Sequence, residues 1–387
     1  MNFFLLGVIF FLITNCSFDS KTGIWEINDN SQETKIKKRS EVFKSESLQR
    51  NDGFNKIIKN KNFKFILSPP IENLNWNDIF YSKNNNFDHF KYSNLNEISY
   101  KSNKISKYKL STKFLIVENK LIATDQKGNL IIHSIKQRTS SKFNFYKKKY
   151  KKIKKELNII SQDDFIYVSD NLGYLYSYDH KNNRLKWAKY YKVPFRSNLK
   201  LIDDKLVASD QNNNIYFFDK FSGKILKQIP TEENIIKNNF KNSFSINNKN
   251  ILFLNGYGTL YSIDKDSLKI NWFLNLNQSL NPVYANLFSG TQIVSEGDKI
   301  FVSSNESTYI IDDNTGNILF KKKFSSKIKP LIQNNYYFCI TKNDYLLAMN
   351  ITNGNIIYSL RLKDELNKQF NLKDTKLKIF LLQTINC

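Results

Sequence analysis

The stretch that decides the fold begins at residue 251 and reads ILFLNGYGTLYSIDKDSLKINW. Two apolar runs of strand length, residues 251–254 and 260–263, flank a short turn that contains Gly258. Asp264 closes the second run, and Trp272 follows it at an interval of eight residues. Short apolar runs that are separated by turn residues predict antiparallel strands joined by tight hairpins.

The same arrangement recurs from residue 112 to residue 362, in six legible copies of which the first is degenerate. The residues that close the second apolar run of each copy are Ser134, Asp179, Asp219, Asp264, Asp312 and Asn350. These anchors lie 38 to 48 residues apart, a period that holds one four-stranded sheet of a β-propeller. We therefore predict an all-β protein, a β-propeller of four-stranded blades.

The conspicuous residues of the repeat have structural explanations. A glycine six positions before the anchor suits a hairpin that requires positive φ, and a glycine four positions after it supplies a left-handed turn residue. The anchor side chain can cap that turn, and the aromatic residue eight positions on is predicted to wedge between neighbouring sheets. The residues to which we assign these blade-forming roles are Gly173, Asp179, Trp187, Asp219, Gly223, Gly258, Asp264, Trp272, Asp312, Gly316 and Phe320.

The composition favours a folded chain with a basic surface. Hydrophobic residues make up 41% and aromatic residues 14% of the 387 residues, and the formal net charge is +24. Such an excess of lysine could serve a polyanionic partner, and it is most concentrated in residues 147–155. No nucleic-acid motif accompanies that stretch, so a lysine bias spread over the surface is the simpler interpretation and no nucleic-acid partner is predicted.

The N-terminus has the features of an export signal. Residues 3–14 form an almost unbroken apolar run, which is short for a bilayer span and has the length of a signal-peptide core. The run ends in Ile13-Thr14-Asn15-Cys16, which resembles the lipobox of bacterial lipoproteins, where cleavage precedes a cysteine that becomes lipid-modified. We predict a signal peptide over residues 1–15 and lipidation at Cys16, with an ordinary export signal or an uncleaved anchor as the alternative.

The chain outside the repeats divides into two further parts. Residues 16–60 are polar and charge-mixed and are predicted to be a flexible tether. Residues 61–111 are predicted to form a strap or a partial first blade, ahead of a propeller over residues 112–387. Because an open sheet edge invites aggregation, propellers close by pairing a strand from one chain end with the last blade. Cys339 lies in an apolar run and is predicted to be a small buried residue, without a disulfide framework.

The repeat, written Gly-x-Leu-Tyr-x-apolar-Asp-x-x-(Thr/Ser)-Gly-x-x-x-x-Trp, is similar to the quinoprotein-type (PQQ-like) β-propeller repeat. Two groups of exported bacterial proteins use it, the quinone-dependent dehydrogenases and the BamB-like lipoproteins of the outer-membrane β-barrel assembly (BAM) complex. A lipobox-like N-terminus followed by a single propeller resembles the second group. The resemblance implies seven or eight blades, and so a C-terminus that is truncated relative to that family.

The resemblance also implies a partner-binding loop. In the BamB-like lipoproteins, a loop after one blade's tryptophan carries alternating apolar residues and an arginine, and it docks on a periplasmic POTRA domain of the barrel-forming subunit. Val193, Phe195 and Arg196 match these positions, and apolar anchors beside a guanidinium are typical of interface hot spots. The alternative is that Phe195 belongs to the core and Arg196 to the surface. The acidic pair that the family carries in the loop after the next blade is replaced by amides and a lysine in residues 238–242.

The quinoprotein dehydrogenases, by the same resemblance, would require a Ca²⁺ site of Glu, Asn and Asp, a catalytic Asp, a tryptophan beneath the quinone and commonly two adjacent cysteines. The sequence has no adjacent cysteines, and its three histidines, His89, His133 and His180, lie at no metal-ligand spacing. We therefore expect no catalysis, no cofactor and no metal.

The expected function is a non-catalytic scaffold lipoprotein on the periplasmic face of the outer membrane that binds the barrel-forming subunit. Unfolded outer-membrane proteins are a further candidate partner. Two alternatives stay open, a PQQ- and Ca²⁺-dependent periplasmic dehydrogenase and a propeller that binds anionic envelope components through residues 147–155.

Overall fold

The computed structural model describes residues 54–59, 64–72, 75–91, 100–233, 240–277 and 288–364, together with the backbone of two short N-terminal strands. The chain divides into two compact units, residues 1–52 and 53–387. In the first unit, β1 (Cys16–Phe18) pairs antiparallel with β2 (Trp25–Ile27). The predicted signal peptide, the side chain of Cys16, most of the predicted tether and residues 365–387 lie outside the described part of the chain.

In its described residues, the second unit contains six four-stranded antiparallel sheets, each made of consecutive strands. Blade 1 consists of β3 (Leu110–Val117), β4 (Lys120–Asp125), β5 (Asn129–Ser134) and β6 (Ser140–Asn144). Blade 2 consists of β7 (Leu157–Gln162), β8 (Phe165–Asp170), β9 (Tyr174–Asp179) and β10 (Arg184–Tyr190). Blade 3 consists of β11 (Lys200–Ile202), β12 (Lys205–Ser209), β13 (Ile215–Asp219) and β14 (Ile225–Ile229).

The other three blades repeat this plan. Blade 4 consists of β15 (Ser243–Ile246), β16 (Asn250–Leu254), β17 (Thr259–Asp264) and β18 (Ile270–Asn275). Blade 5 consists of β19 (Val294–Glu296), β20 (Lys299–Ser303), β21 (Thr308–Asp312) and β22 (Ile318–Lys322). Blade 6 consists of β23 (Leu331–Gln333), β24 (Tyr336–Ile340), β25 (Tyr345–Asn350) and β26 (Ile356–Arg361). The prediction of an all-β propeller with four-stranded blades is confirmed, with six blades in the described residues where the family resemblance implied seven or eight.

The burial of each strand follows from its position in the blade. In blade 4, five of the six residues of β17 are buried, whereas none of the residues of β18 is. The inner strands pack against a neighbouring blade on each face and therefore read as nearly continuous apolar runs. Between blades 3 and 4, for example, Val207 and Phe217 share one apolar cluster with Phe244 and Phe253.

The aromatic residues of the second, fourth and fifth repeats each join one blade to the next. The Trp272 indole donates a hydrogen bond to the Asp313 carbonyl at 2.9 Å, and its ring covers Gly316 so closely that a Cβ there would lie 2.7 Å away. Trp187 covers Gly223 in the same way, and Phe320 covers Gly354. The φ angle of Gly316 is +74°, so this turn needs a glycine for its backbone conformation as well as for space.

The anchor carboxylates cap the turns that follow them. The Asp264 carboxylate accepts hydrogen bonds from the backbone N–H and the hydroxyl of Ser267, both at 2.7 Å. Asp312 accepts the corresponding bonds from Thr315 at 2.8 Å. Hydrogen bonds from Asn182 lower the pKa of Asp179 to about 2. These carboxylates are therefore committed to the backbone of the blades.

Residues 75–91, which we call the axial segment, lie at the centre of the ring. The segment forms backbone hydrogen bonds with the first strands of blades 1, 2, 4 and 5, in the pairs Trp76–Ile116, Asn77–Ser161, Lys83–Ile246 and Asn84–Ser295. The Asn86 side chain binds both backbone groups of Ile332 in blade 6, at 2.8 and 3.0 Å. Lys200, in the first strand of blade 3, reaches Asp78 of the segment. One segment therefore contacts the first strand of each of the six described blades and lies along the channel.

Residues that precede blade 1 also connect it with blade 6. Phe65, Leu67 and Phe87 pack against the apolar cluster of blade 6, and Trp76 stacks on Phe114 of blade 1 with 5.8 Å between the ring centroids. At the outer edge of blade 6, a backbone pair of hydrogen bonds at 3.1 and 2.9 Å joins Ile58 to β26. One isolated β-bridge thus pairs a residue that precedes blade 1 with the last blade, which is a contact of the kind that closes a propeller.

Candidate functional site

The antiparallel order of the strands gives the ring two distinct faces. The hairpins between the second and third strands, such as the one at Gly173, lie at the same end of the channel as the connections between blades. We call this end the upper face. The remaining two turns of each blade, such as those at Gly223 and Gly297, lie on the lower face. Loops on these faces, rather than the buried strands, are available to partners.

The predicted docking loop, residues 193–197, lies on the upper face between blades 2 and 3. Its backbone is fixed on both sides. The Phe195 N–H donates to the backbone carbonyl of Asp170 in blade 2 at 3.0 Å, and the Arg196 N–H donates to the backbone carbonyl of Ser209 in blade 3 at 2.9 Å. The Gly173 hairpin lies directly beneath it, and a Cβ at Gly173 would come within 2.8 Å of the Val193 carbonyl oxygen. The backbone of the loop is therefore held in place by blades 2 and 3.

Within this loop, the position of Phe195 differs from the predicted role. Its side chain is only 4% exposed, and its ring packs edge-on against Tyr191 and Phe218, with centroid distances of 5.8 and 6.0 Å. Phe195 therefore belongs to the core between blades 2 and 3 and does not present an apolar anchor. Val193 and Arg196 are half-buried and remain candidates for contact.

Arg196 lies beside charged residues from the neighbouring connections. Lys241, which precedes blade 4, forms an ion pair of 2.5 Å with Glu156, which precedes blade 2. The hydrogen bond from Lys241 lowers the pKa of Glu156, with smaller contributions from Lys154 and Arg196. Burial lowers the pKa of Arg196, and Glu156 opposes that change. Arg196, Glu156 and Lys241 together form what we call the upper rim, and the lysine that replaces the family's acidic pair is part of it.

A polar network inside the channel holds the axial segment. The side chain of Lys200 is fully buried, and its Nζ donates to the Asp78 carboxylate at 2.7 Å and to the Asn85 side-chain oxygen at 2.6 Å. The Asn85 amide in turn donates to the carbonyls of Phe244 and Ile293, both at 2.7 Å. Burial lowers the pKa of Lys200, and the attraction of Asp78 opposes that change.

A second lysine, Lys329, binds the axial segment without a carboxylate partner in the described residues. Its Nζ donates to the carbonyls of Phe80 and Asn85 and lies 3.9 Å from the centroid of the Phe87 ring. Burial, reinforced by repulsion from Lys200, lowers the pKa of Lys329 to about 7 against the attraction of Asp78. This ammonium therefore loses its proton far more readily in the folded protein than in the unfolded chain.

The stability of the propeller should consequently rise with pH above neutrality. The folded-state pKa of Lys329 is about 7, and the unfolded value is about 10.4. Between these values the unfolded chain binds the additional proton, so the free energy of unfolding increases with pH. We expect Lys329→Met to flatten this increase in urea denaturation between pH 7 and about pH 9.5. Lys269→Met, at an exposed lysine on the lower face, should keep the wild-type slope, and equal slopes in all three proteins would contradict the assignment.

The channel does not fit the quinone and Ca²⁺ of the quinoprotein dehydrogenases. A Ca²⁺ ion needs several oxygen ligands that converge on one point. The Asp78 carboxylate already accepts hydrogen bonds from Lys200 and from the Phe80 N–H at 2.8 Å, and Lys329 adds positive charge. Across the described ranges, no group of three or more His, Cys, Asp or Glu side chains could hold a metal ion.

The remaining candidate residues have local roles. His133 contacts the Tyr100 hydroxyl at 2.6 Å and the Ser140 hydroxyl at 2.8 Å, and His180 contacts the Asp163 carbonyl at 3.2 Å. Cys339 is fully buried, as predicted, and burial raises the pKa of its thiol to about 12. In the part of the chain that the structure describes, no helix is long and apolar enough to cross a membrane.

The channel lysines were not identified from the sequence. Lys113, Lys200 and Lys329 each lie in the first strand of a blade or within two residues before it, and each is followed by apolar residues of that strand. A lysine embedded in a buried strand is rare unless it is paired, and that is the signal that could have found them. Nothing local indicated that Asp78 and Asn85 bind Lys200, because that lysine is more than 100 residues away from both.

Comparisons with known proteins agree with the geometry. Residues 257–375 match the family model PQQ_2, described as outer membrane protein assembly factor BamB. Among solved structures, BamB from Moraxella catarrhalis is 14% identical with a TM-score of 0.53, over 63% of this chain and 73% of that chain. A comparison with curated protein sequences gives no match.

Two further solved structures show weaker likeness. The quinohemoprotein alcohol dehydrogenase from Comamonas testosteroni is 11% identical with a TM-score of 0.41, over 53% of this chain and 42% of that chain. Sqt1 from Saccharomyces cerevisiae is 13% identical with a TM-score of 0.48, over 62% and 70%. Both likenesses are too weak to bear on function.

Proposed function

We propose that this BamB-like β-propeller of PQQ-type repeats is a non-catalytic scaffold that assists the assembly of β-barrel proteins into the outer membrane. The observation that carries the proposal is the match of residues 257–375 to the BamB family model. In this proposal the chain acts on the periplasmic face of the outer membrane, anchored by a lipid on Cys16. Its main partner is the barrel-forming subunit of the BAM complex, through that subunit's POTRA domains, and unfolded outer-membrane proteins are a second class of partner.

The upper face suits a docking role because its loop is already ordered. The hydrogen bonds that fix Phe195 and Arg196 to blades 2 and 3 remove most of the conformational entropy that a partner would otherwise have to overcome. The loop offers half-buried Val193 and the Arg196 guanidinium, next to Glu156 and Lys241. A small apolar contact surrounded by charges of both signs is typical of a non-obligate interface.

The non-catalytic part of the proposal is supported by the axial segment. A substrate or cofactor at the centre of the ring would have to displace residues 75–91, which bind all six blades. Substrate oxidation by the purified protein after addition of pyrroloquinoline quinone and Ca²⁺ would overturn this part and favour the dehydrogenase alternative.

The docking surface is tested by reversing one charge. We expect Arg196→Glu to lower the amount of barrel-forming subunit that co-purifies from detergent-solubilised membranes about tenfold or more, since arginine is enriched among interface hot spots, whose truncation costs about 2 kcal/mol or more. The new carboxylate would also face Glu156, which adds repulsion on the same surface. The matched control is Lys269→Glu, the same charge reversal at an exposed position of the lower face, which should leave co-purification unchanged.

A second variant makes it possible to test the role of the loop separately from the proposed function. Val193→Asp places a charge at the half-buried apolar position and should also reduce co-purification in a protein whose thermal unfolding shows a single transition. If both folded variants bind as well as the wild type, the loop is not the docking surface. If the wild type itself does not capture the barrel-forming subunit, the proposed function is wrong.

A further inference from the structure

A cavity of about 310 Å³ opens on the upper face between blades 1 and 2. Five lysines line it, namely Lys109, Lys113, Lys154, Lys155 and Lys241, against two carboxylates, Asp125 and Glu156. The lysines come from three separate parts of the chain, so this concentration of positive charge is produced by the fold.

Both carboxylates of the cavity are already engaged. One oxygen of Asp125 accepts backbone hydrogen bonds from Lys127 at 2.9 Å and Asn129 at 3.2 Å, and the other accepts the Ser106 hydroxyl at 2.8 Å. Glu156 is paired with Lys241 at 2.5 Å. Five ammonium groups thus line the cavity with two carboxylates, one of which is already paired, so the cavity keeps an excess of positive charge.

Lys113 is the lysine that most needs a counter-ion. Its Nζ lies 4.9 Å from the centroid of the Phe80 ring and forms no hydrogen bond or ion pair with any residue that the structure describes. Burial and repulsion from Lys241 lower the pKa of Lys113 to about 8, although Asp78 and Glu156 attract its charge. A half-buried ammonium of this kind gains more from a bound anion than an exposed one does.

Neutral donors complete the wall of the cavity. Asn158 is 6% exposed and Thr124 is 2% exposed, and both line the cavity. Among the described residues, neither the Asn158 amide nor the Thr124 hydroxyl donates a hydrogen bond to a protein group. Neither group is among the buried side-chain atoms that lack a partner, so both are open to the cavity, where the acceptor oxygens of a ligand would suit them.

We propose that this cavity is a binding site for a phosphate-bearing anion, held by Lys113, Lys154 and Lys241 with hydrogen bonds from Asn158 and Thr124. Ammonium groups bind phosphate as point charges, without the planar geometry that an arginine requires. A phosphate ester carries up to two charges and several acceptor oxygens, which matches an excess of lysines better than a single carboxylate would. The site does not depend on the scaffold function.

The phosphate could belong to a soluble molecule or to a phospholipid headgroup, and two measurements distinguish these sources. Isothermal titration with inorganic phosphate, at constant ionic strength in a zwitterionic buffer, tests the soluble source. Co-sedimentation with vesicles of phosphatidylglycerol and phosphatidylcholine, compared with phosphatidylcholine alone, tests the lipid source. We expect saturable binding at one site in at least one of them.

Variants of the lysines decide whether binding occurs in this cavity. Lys113→Gln and Lys241→Gln should each weaken binding about tenfold, the effect of losing one charge-assisted hydrogen bond. Lys269→Gln, which removes one charge from the lower face, should leave binding unchanged. Lys241 is partly exposed, so its variant keeps the test valid even if Lys113→Gln does not fold. The proposal is overturned if neither probe binds, or if the control weakens binding as much as the cavity variants.

Discussion

Replacing Asp78 with alanine should lower the free energy of unfolding of the propeller by about 3–5 kcal/mol. The Asp78 carboxylate is 2.7 Å from the ammonium of Lys200, and both side chains are almost completely buried. Without the carboxylate, Lys200 remains as an uncompensated charge in the channel, close enough to Lys329 to repel it. The effect is large because the penalty for a buried unpaired charge exceeds the value of the ion pair itself.

Urea denaturation at pH 7 measures this loss, and an exposed ion pair supplies the control. Lys181 and Asp164 lie 3.7 Å apart with side chains that are 69% and 47% exposed, so Asp164→Ala should cost less than about 1 kcal/mol. The double variant Asp78→Ala with Lys200→Met should recover part of the loss, since it removes the stranded ammonium. If Asp78→Ala is no more destabilising than Asp164→Ala, the axial network does not hold the ring together.

The second large effect is expected at Gly316, in the turn beneath Trp272. Alanine at this position meets two penalties, the left-handed backbone at φ +74° and a Cβ only 2.7 Å from the Trp272 ring. Together these should destabilise the protein by about 2–5 kcal/mol, the sum of about 1–2 for the conformation and about 1–3 for overpacking.

Gly297 allows the two penalties to be separated. Its φ is +58°, but a Cβ there would have nothing within 4 Å, so Gly297→Ala should cost only the conformational part of about 1–2 kcal/mol. Thermal and urea unfolding of the two variants, compared with the wild type, measure the difference. Equal losses would mean that the tryptophan moves aside freely and that its packing does not couple blade 4 to blade 5.

The blade plan could be predicted from the sequence because its determinants are local. The turn after Asp264 is completed within three residues by Ser267, and the glycine turns depend on their own φ angles. The same pattern of strands and turns recurs along the chain, so each copy supports the interpretation of the others. The spacing of the anchors then predicts the length of each blade. The pairing of Trp272 with Gly316 could also be anticipated, since it joins consecutive copies of one pattern.

The direction of the Phe195 side chain could not be predicted from the sequence. A loop with apolar residues at alternate positions can turn them outward to a partner or inward to a core, and the sequence is the same in both cases. The neighbouring rings Tyr191 and Phe218 decide the outcome, because burial between two blades removes more apolar surface from water than exposure on a loop would. Only the arrangement of the blades shows that this space exists.

The sequence by itself determined the repeat, the four-stranded blade and the positions of its turns, because these arise from interactions within or between adjacent copies. The tertiary structure alone decided that residues 75–91 lie along the channel, with Asp78 bound to Lys200 across 122 positions of sequence. It also decided that lysines from blades 1, 2 and 4 line one cavity. Residues outside the repeat pattern have no periodic signal, and charges distant in sequence acquire their energies only when the closed ring removes them from water.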